Sequence, residues 1–296
     1  MWKTLRKKGV IKIPLPLYRA LYIYKKWLAK KLTVRAHKKT GRFLSLHIDT
    51  YTACNRKCNF CFNHDRFPSK KQGIMSEAMW IRIIDELADM GYTGKLSPYY
   101  YGEPLLDKRL HRLIAYAKKR LPLCFIQINT NGDLLTEERL LELIRSGIDM
   151  LKVTDYGNMG IPKDTPKSKI SEQSKRLKYL AEKYPLYIYL RSWKEINLMN
   201  RAGAIFKRNN PRKNESCQRP SCQLIIDWEG NVILCCNDYY SDYKLGNITE
   251  DSIINIWHTP QLQKYREALE SGKREAIKLC AGCDCIGILD KNYVLW

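Results

Sequence analysis

Between residues 43 and 192 the chain repeats one pattern, and that pattern limits the folds open to it. FLSLHIDT precedes MSEAMWIRIIDELADMG, TGKLSPYYYG precedes LHRLIAYAKKR, CFIQINTNG precedes TEERLLELIRSG, and IDMLKVTDYG precedes SKISEQSKRLKYLAEKY; PLYIYLRSW closes the series. Each pair is a strand-like run followed by a helix-period segment, at intervals of about 25 to 35 residues. Strands joined through helices must run parallel, so the chain is expected to be α/β, its sheet closed or partly closed into a barrel. In the first helix, Ile81, Ile84, Leu87 and Ala88 are expected to face the core, with Gly91 ending it.

Near residue 200 the rhythm changes. RNNPRKNES is polar and contains proline, and CQLIIDWEGNVILCC beyond it is two apolar runs around Glu229-Gly230-Asn231, a hairpin signal. Two short helical segments follow, at 251–257 and 260–272, then CAGCDC. Three regions are expected: a basic extension over 1–42, the repeating α/β region over 43–205, and a small hairpin-plus-helix domain over 206–296.

Eleven cysteines in a chain without an apolar leader pattern point to metal or catalysis rather than to a disulfide framework. No run of 18 apolar residues occurs, so a cytoplasmic location is expected. Cys54, Cys58 and Cys61 stand at C-x3-C-x2-C just past the first strand, on the loop side where parallel barrels build their sites. Structural zinc takes four ligands. Three thiolates suit a [4Fe–4S] cluster with one iron left open for a cofactor.

CNRKCNFC resembles the signature of the radical S-adenosylmethionine (SAM) superfamily. The resemblance implies a partial (β/α)6 TIM-type barrel in which the open iron chelates SAM and Phe60 lies beside the adenine. Two further loops are similar to those of the family. In Tyr101-Gly102-Glu103-Pro104, Gly102 would admit the SAM methionine and Glu103 would accept its ammonium; Tyr101 stands where the family carries glycine. Asn129-Thr130-Asn131-Gly132 resembles the ribose-side loop.

The remaining cysteines divide on spacing. Twelve residues separate Cys217 from Gly230, four separate Gly230 from Cys235, and Cys280-x2-Cys283 follows. This resembles the SPASM type of auxiliary iron–sulfur domain in its shortened, single-cluster (twitch) form, whose ligands would be Cys217, Cys235, Cys280 and Cys283. Four-cysteine zinc is the physical rival. Cys222 and Cys285 fall outside the pattern, and Cys124 sits in a strand pattern as a core residue.

From 45 to 285 the chain is similar to the superfamily's alcohol dehydrogenases acting on cyclitols. This implies SAM cleavage, hydrogen abstraction from a polar, carbohydrate-like small molecule, the auxiliary cluster as electron acceptor, and a reducing partner such as flavodoxin or ferredoxin. Arg201 in NRAG corresponds to a substrate-side arginine. Cys236, next to Cys235, raises an epimerase alternative in which its thiol returns a hydrogen atom. Peptide or RNA modification, and a non-catalytic zinc protein binding nucleic acid, are the remaining alternatives.

Charge bears on partners. The net charge is +22, and residues 1–42 hold fourteen Lys or Arg and no acid. Leu17, Leu21, Tyr24, Leu28 and Leu32 recur there at helical spacing among lysines, the pattern of a helix lying on an anionic membrane surface or packed on the main domain with a solvated lysine face. A chain so basic collects anions: a sugar nucleotide, a phosphorylated cyclitol, a membrane-linked glycan or an acidic peptide.

Overall fold

The computed structural model describes residues 15–67, 71–196, 198–206 and 212–287. The first part of the basic extension, residues 1–14, lies outside them, as do the side chains of Leu17 and Leu21.

After a long helix, α1 (Leu15–Thr40), strands and helices alternate: β1 (Ser45–Ile48), α2 (Glu77–Asp89), β2 (Lys95–Ser97), α3 (Leu110–Arg120), β3 (Phe125–Thr130), α4 (Glu137–Ser146), β4 (Met150–Asp155), α5 (Lys167–Lys183) and β5 (Ile188–Ser192). The helices begin where capping chemistry starts them. Ser76 and Thr136 accept from the amides of Met79 and Arg139, and Gly147, left-handed at φ 95°, ends α4.

The five strands are parallel neighbours, and the sheet then continues through the far end of the chain. β6 (Gln223–Ile226) pairs parallel with β1, and β7 (Asn231–Ile233) and β8 (Lys244–Asn247) add antiparallel, giving the order β5-β4-β3-β2-β1-β6-β7-β8. The sixth parallel strand of the expected half-barrel therefore comes from the hairpin region rather than from a helix following β5. Short helices α6 (Arg219–Cys222), α7 (Ile253–Trp257), α8 (Pro260–Glu270) and α9 (Lys278–Ala281) complete the described chain.

The two faces of the strands differ. Leu46, Ile48, Leu96, Ile126, Ile128, Leu151 and Val153 point into one hydrophobic core with the helices, as strand alternation requires. In α2 the residues buried there are Trp80, Ile83, Ile84 and Leu87, and Ile81 is 41% exposed. Ile84 and Leu87 thus lie on the expected face and Ala88 packs against the core, while Trp80 and Ile83 take the place expected of Ile81. Trp80 sets this face, because its indole lies in the core and donates to the Leu113 carbonyl of α3 (3.1 Å). Cys124 is core, with its thiol on the Gly94 carbonyl (2.9 Å).

Candidate active site

The loop after β1 carries Cys54, Cys58 and Cys61, all free thiols. What holds it is Arg56, in the spacer between the first two. Its guanidinium is buried and makes a two-pronged ion pair with Asp133 (2.8 and 2.6 Å), then donates to the carbonyls of Gly157 (3.0 Å) and Met159 (2.8 Å). One side chain so ties the loops after β1, β3 and β4. Gly160 lies against the same loop: its carbonyl accepts from Lys57, and a Cβ on it would stand 2.8 Å from the Cys58 sulfur. Burial pushes the Cys54 and Cys58 thiols up to about 12 and raises Cys61. Iron would reverse this, since a metal-bound thiol is deprotonated. Phe60 is buried and packs on Tyr156, centroids 5.6 Å apart.

The loop after β2 passes so close to the loop after β1 that a Cβ on Gly102 would lie 1.9 Å from the Tyr51 carbonyl oxygen. Only glycine fits there. Glu103 follows, 3% exposed, and its carboxylate accepts from Thr130 Oγ1 (2.6 Å), the Asn131 amide (2.9 Å) and the Leu105 amide (3.1 Å). Burial nonetheless raises its pKa to about 7, and the charged group acting on it is another acid, Asp133. Among the described residues no cation pairs with it. A buried carboxylate with donors on three sides and no cation is a fitted seat for an ammonium group. Asn131 also reaches Asn55 (2.9 Å), and Asn129 accepts from Gln127 (3.2 Å).

Tyr101 and its neighbour Tyr100 turn the other way. Both hydroxyls donate to the Cys236 carbonyl, at 2.8 and 3.1 Å, and Tyr100 also reaches the Asp238 carbonyl (3.3 Å). Tyr101, Phe62 and Tyr239 stack and edge together, with Phe62–Tyr239 centroids at 4.7 Å. The Arg201 guanidinium sits 5.6 Å from the Tyr101 ring centroid. Burial opposes its charge, but Tyr101, Cys236 and Cys61 around it raise its pKa. Its backbone is left-handed (φ 51°), and the preceding Asn200 is locked to the second cysteine segment: the Asn200 amide donates to Asp284 Oδ1 (2.9 Å) and its Nδ2 to the Gly282 carbonyl (2.8 Å).

Two arginines organise that second segment. Arg274, 1% exposed, donates to the carbonyls of Glu215 (2.7 Å), Ser216 (3.0 Å), Cys283 (3.3 Å) and Cys285 (2.7 Å), stapling the strand of chain before Cys217 to the one around Cys283. Arg219 donates to sulfur, through Nε to Cys285 (3.0 Å) and through Nη1 to Cys236 (3.3 Å). Its amide bonds the Cys217 thiol as well. Cys236 is held down by its hydrogen bond with Cys235, then by Arg219 and Arg201, and Cys235 is pushed up correspondingly. Burial raises Cys280 to about 12 and Cys283 to about 11. The donor set is sulfur throughout. Among the described residues no three His, Cys, Asp or Glu donors converge on a single ion, as zinc at about 2.3 Å from each sulfur would require.

Sequence reasoning missed Arg56, Tyr100, Arg219, Arg274, Asn200 and Asp284. Each acts across dozens of residues, and a lone arginine in a basic chain carries no signal. Arg56 alone was findable in principle, as the one spacer residue able to fork onto a carboxylate.

Comparison with known proteins agrees with this geometry. The model of the radical SAM superfamily matches residues 48–157, and that of the SPASM iron–sulfur cluster-binding domain matches residues 217–284. The S-adenosyl-L-methionine-dependent 2-deoxy-scyllo-inosamine dehydrogenase of Niallia circulans is 29% identical over 257 residues, covering 86% of this chain and 98% of that protein. The crystal structure of BtrN in complex with AdoMet and 2-DOIA superposes with a TM-score of 0.75 at 28% identity, over 84% of this chain and 96% of that one. Native anSMEcpe with bound AdoMet shares the fold, with a TM-score of 0.54 at 16% identity over 81% of this chain and 89% of that one. The cofactors are accordingly a [4Fe–4S] cluster, S-adenosylmethionine and an auxiliary iron–sulfur cluster. The chain carries a radical SAM domain over residues 48–157 and a SPASM-type iron–sulfur cluster-binding domain over residues 217–284.

Proposed function

We propose that this chain oxidises a secondary alcohol of a cyclitol-like polyol to a ketone, using SAM as the radical source. The observation that carries the reading is the buried Glu103 carboxylate, supplied with donors by Thr130, Asn131 and Leu105 and lacking a cation. It is built to take the ammonium of SAM, with Gly102 giving the backbone clearance. Cys54, Cys58 and Cys61 hold the cluster beside it, Phe60 flanks the adenine, and Asn129, Thr130 and Asn131 face the ribose side. Cys217, Cys235, Cys280 and Cys283 hold the auxiliary cluster. When bound, these groups would supply an electron to cleave SAM, a 5′-deoxyadenosyl radical to take the carbinol hydrogen and an acceptor for the second electron, with the hydroxyl proton passing to water.

The residues of the chain do the rest. Arg201, braced on Tyr101 and Asn200, orients the substrate; a guanidinium is too weak an acid to act as the base. Tyr100 and Tyr101 bind the segment carrying Cys235 to the SAM loop, fixing the distance the electron crosses. The Cys236 sulfur is engaged by Arg219. Its thiol is not assigned a hydrogen-donating role, and the dehydrogenase among the relatives favours oxidation over epimerisation.

Anaerobically prepared protein is expected to hold about eight iron, falling to about four when Cys54, Cys58 and Cys61 are changed to Ala. With reductant and a cyclitol, the product should be two mass units lighter, and 5′-deoxyadenosine should form in step. Deuterium from heavy water entering an isomer of unchanged mass would overturn the dehydrogenase reading.

A reducing protein of flavodoxin or ferredoxin type is the matching electron donor in the cytoplasm. The basic helix α1 is assigned to contact with an anionic membrane surface. In its support, Ile23, Tyr24 and Trp27 are 64%, 58% and 49% exposed, and Lys31 lies 4.2 Å from the Trp27 centroid, the mixture of interfacial aromatics and lysines that such surfaces hold. Leu32 of the expected stripe is also exposed, whereas Thr33 docks the helix to the barrel through Thr93, and His37 bonds the Arg42 carbonyl just past the helix end. Among the described residues no helix is long and apolar enough to cross a membrane.

A further inference from the structure

The face of the sheet opposite the helices is mostly polar, and the charges its strands carry are positive. Strand alternation puts Ser45 and His47 of β1 on that face. Register carries the same face to Lys95 and Ser97 of β2, since Ser45 pairs with Lys95 and His47 with Ser97. On β3 it holds Phe125, which pairs with Lys95, then Gln127 and Asn129; Asn129 pairs with Lys152 of β4, and Thr154 with Arg191 of β5. The apolar residues that alternate with them belong to the helix-side core, while Phe125, opposite Lys95, and Ile225 of β6, opposite His47, are buried apolar residues on the lumen side. The barrel lumen is therefore lined mainly by polar groups, with Phe125 and Ile225 among them.

Two features of this lining are costly unless something occupies the lumen. Lys95 is 5% exposed, and the charged groups acting on it are Lys152 and Arg219, both cations. Burial, aided by those neighbours, brings its pKa down to about 7, and Lys95 and Arg219 likewise add to the burial that holds His47 neutral. Second, Ser45 Oγ, His47 Nε2, Ser97 Oγ and Gln127 Oε1 are buried without a hydrogen-bond partner. Four orphaned polar atoms on one face of one sheet, beside a buried ammonium, are a lined site rather than a packing fault. The acid just past β1, Asp49, lies toward Tyr239 and lines a small recess with Thr52, Asn63, Tyr100 and Tyr101. It does not act on Lys95.

We propose that the lumen receives an anionic substituent of the polyol substrate, phosphate or carboxylate, held by Lys95 and Lys152 with the Ser45 and Ser97 hydroxyls. This rests on the polyol-oxidising reading above and deepens it. The anion supplies the counter-charge Lys95 lacks, and its oxygens take the hydroxyl donors that stand unpaired. The carbinol end of the same molecule then points up the strands toward the loops carrying Glu103 and Arg201. The substrate so defined differs in charge from an inosamine, which carries an amine.

The test uses anaerobic, SAM-loaded holoenzyme and two readouts. Binding is measured by calorimetry for myo-inositol 1-phosphate, glucuronate, myo-inositol and 2-deoxy-scyllo-inosamine. Acetylation of Lys95 by acetic anhydride is followed by peptide mass spectrometry, with and without each compound and with inorganic phosphate. The expected result is at least tenfold tighter binding of the phosphate or the carboxylate than of myo-inositol, and severalfold slower acetylation of Lys95 by the anion that binds. The phosphate and glucuronate arms separate the two anions. Lys95→Gln should abolish the preference and Lys95→Arg retain it; Lys152→Gln should weaken it, which keeps the test open if Lys95→Gln fails to fold. Tightest binding by the amine, or no protection of Lys95 by any anion, would overturn the site. Failure of alcohol oxidation shows separately. Protection of Lys95 without ketone formation in the presence of 5′-deoxyadenosine would remove the dehydrogenase reading and leave the anion site, whereas oxidation of the amine without protection would do the reverse.

Discussion

Glu103 shows how one carboxyl can carry both binding and its pH dependence. Its pKa of about 7 comes from burial, resisted by bonds from Thr130, Asn131 and Leu105. Below that value the free enzyme holds a neutral acid that cannot pair with an ammonium, so binding SAM must release a proton. SAM affinity should be full above pH 7 and fall about tenfold for each unit below it, checked by calorimetry in buffers of different ionisation enthalpy. Glu103→Gln should weaken SAM and flatten the profile; a profile unchanged in that variant would remove Glu103 from the site. The same raised pKa makes the unliganded fold lose stability as pH rises from the ordinary carboxyl value of 4.5 toward 7, because the unfolded chain gives up its proton first. Arg219 acts by charge too. Its guanidinium donates to two cysteine sulfurs and its amide bonds a third. Positive charge and donors at sulfur favour the reduced cluster, so Arg219→Met should move the auxiliary potential to more negative values in an EPR-monitored redox titration, while leaving the iron content unchanged.

Among the elements, the strands were legible because alternation and helical period survive any tertiary context, and the loops after β1, β2 and β3 were legible because their chemistry is local. The fastening of those loops was not. Arg274 joins Glu215 and Ser216 to Cys283 and Cys285 across almost sixty residues, and nothing in KREAIK announces it. Removing it would leave several buried carbonyls without donors, at a cost of about 3 kcal/mol or more. Arg274→Met should therefore lower the denaturation midpoint and drop iron from about eight to about four per chain, with the SAM-side cluster retained. Loss of neither would mean that the two cysteine segments hold each other unaided. The buried face of α2 is a smaller example: Ile81 and Ile84 fit the helical period as well as Trp80, Ile83 and Ile84 do, and only the site on α3 that accepts the Trp80 indole separates them.

At the scale of the whole molecule the sheet is continuous from β5 to β8, so the SAM loops and the auxiliary segment sit on one framework. Tyr100, Tyr101 and the Asn200–Asp284 contact then bridge them directly. The basic helix α1 stands apart from this framework. It touches the barrel near its C-terminal end through Thr33 with Thr93, and Gly41, just past the helix, accepts from the Trp257 indole of α7. Deleting residues 1–30 should leave both clusters and SAM cleavage intact while reducing sedimentation with anionic liposomes severalfold. Equal sedimentation of the two forms would return α1 to the packed-helix reading.

The order of strands and helices, the three-thiol loop, the glycine and acid of the SAM loop and the spacing of the second cysteine group follow from residues close together in the chain. Their chemistry depends on period and spacing, which are local quantities. The placement of β6 against β1, the arginine staples and the cationic lumen do not. Each is a meeting of residues from distant strands, decided by sheet register and by where buried charge finds partners. Lys95 illustrates the difference. In the sequence it is one of 52 basic residues; in the fold its neighbours are cations, and that turns a common residue into a site for an anion.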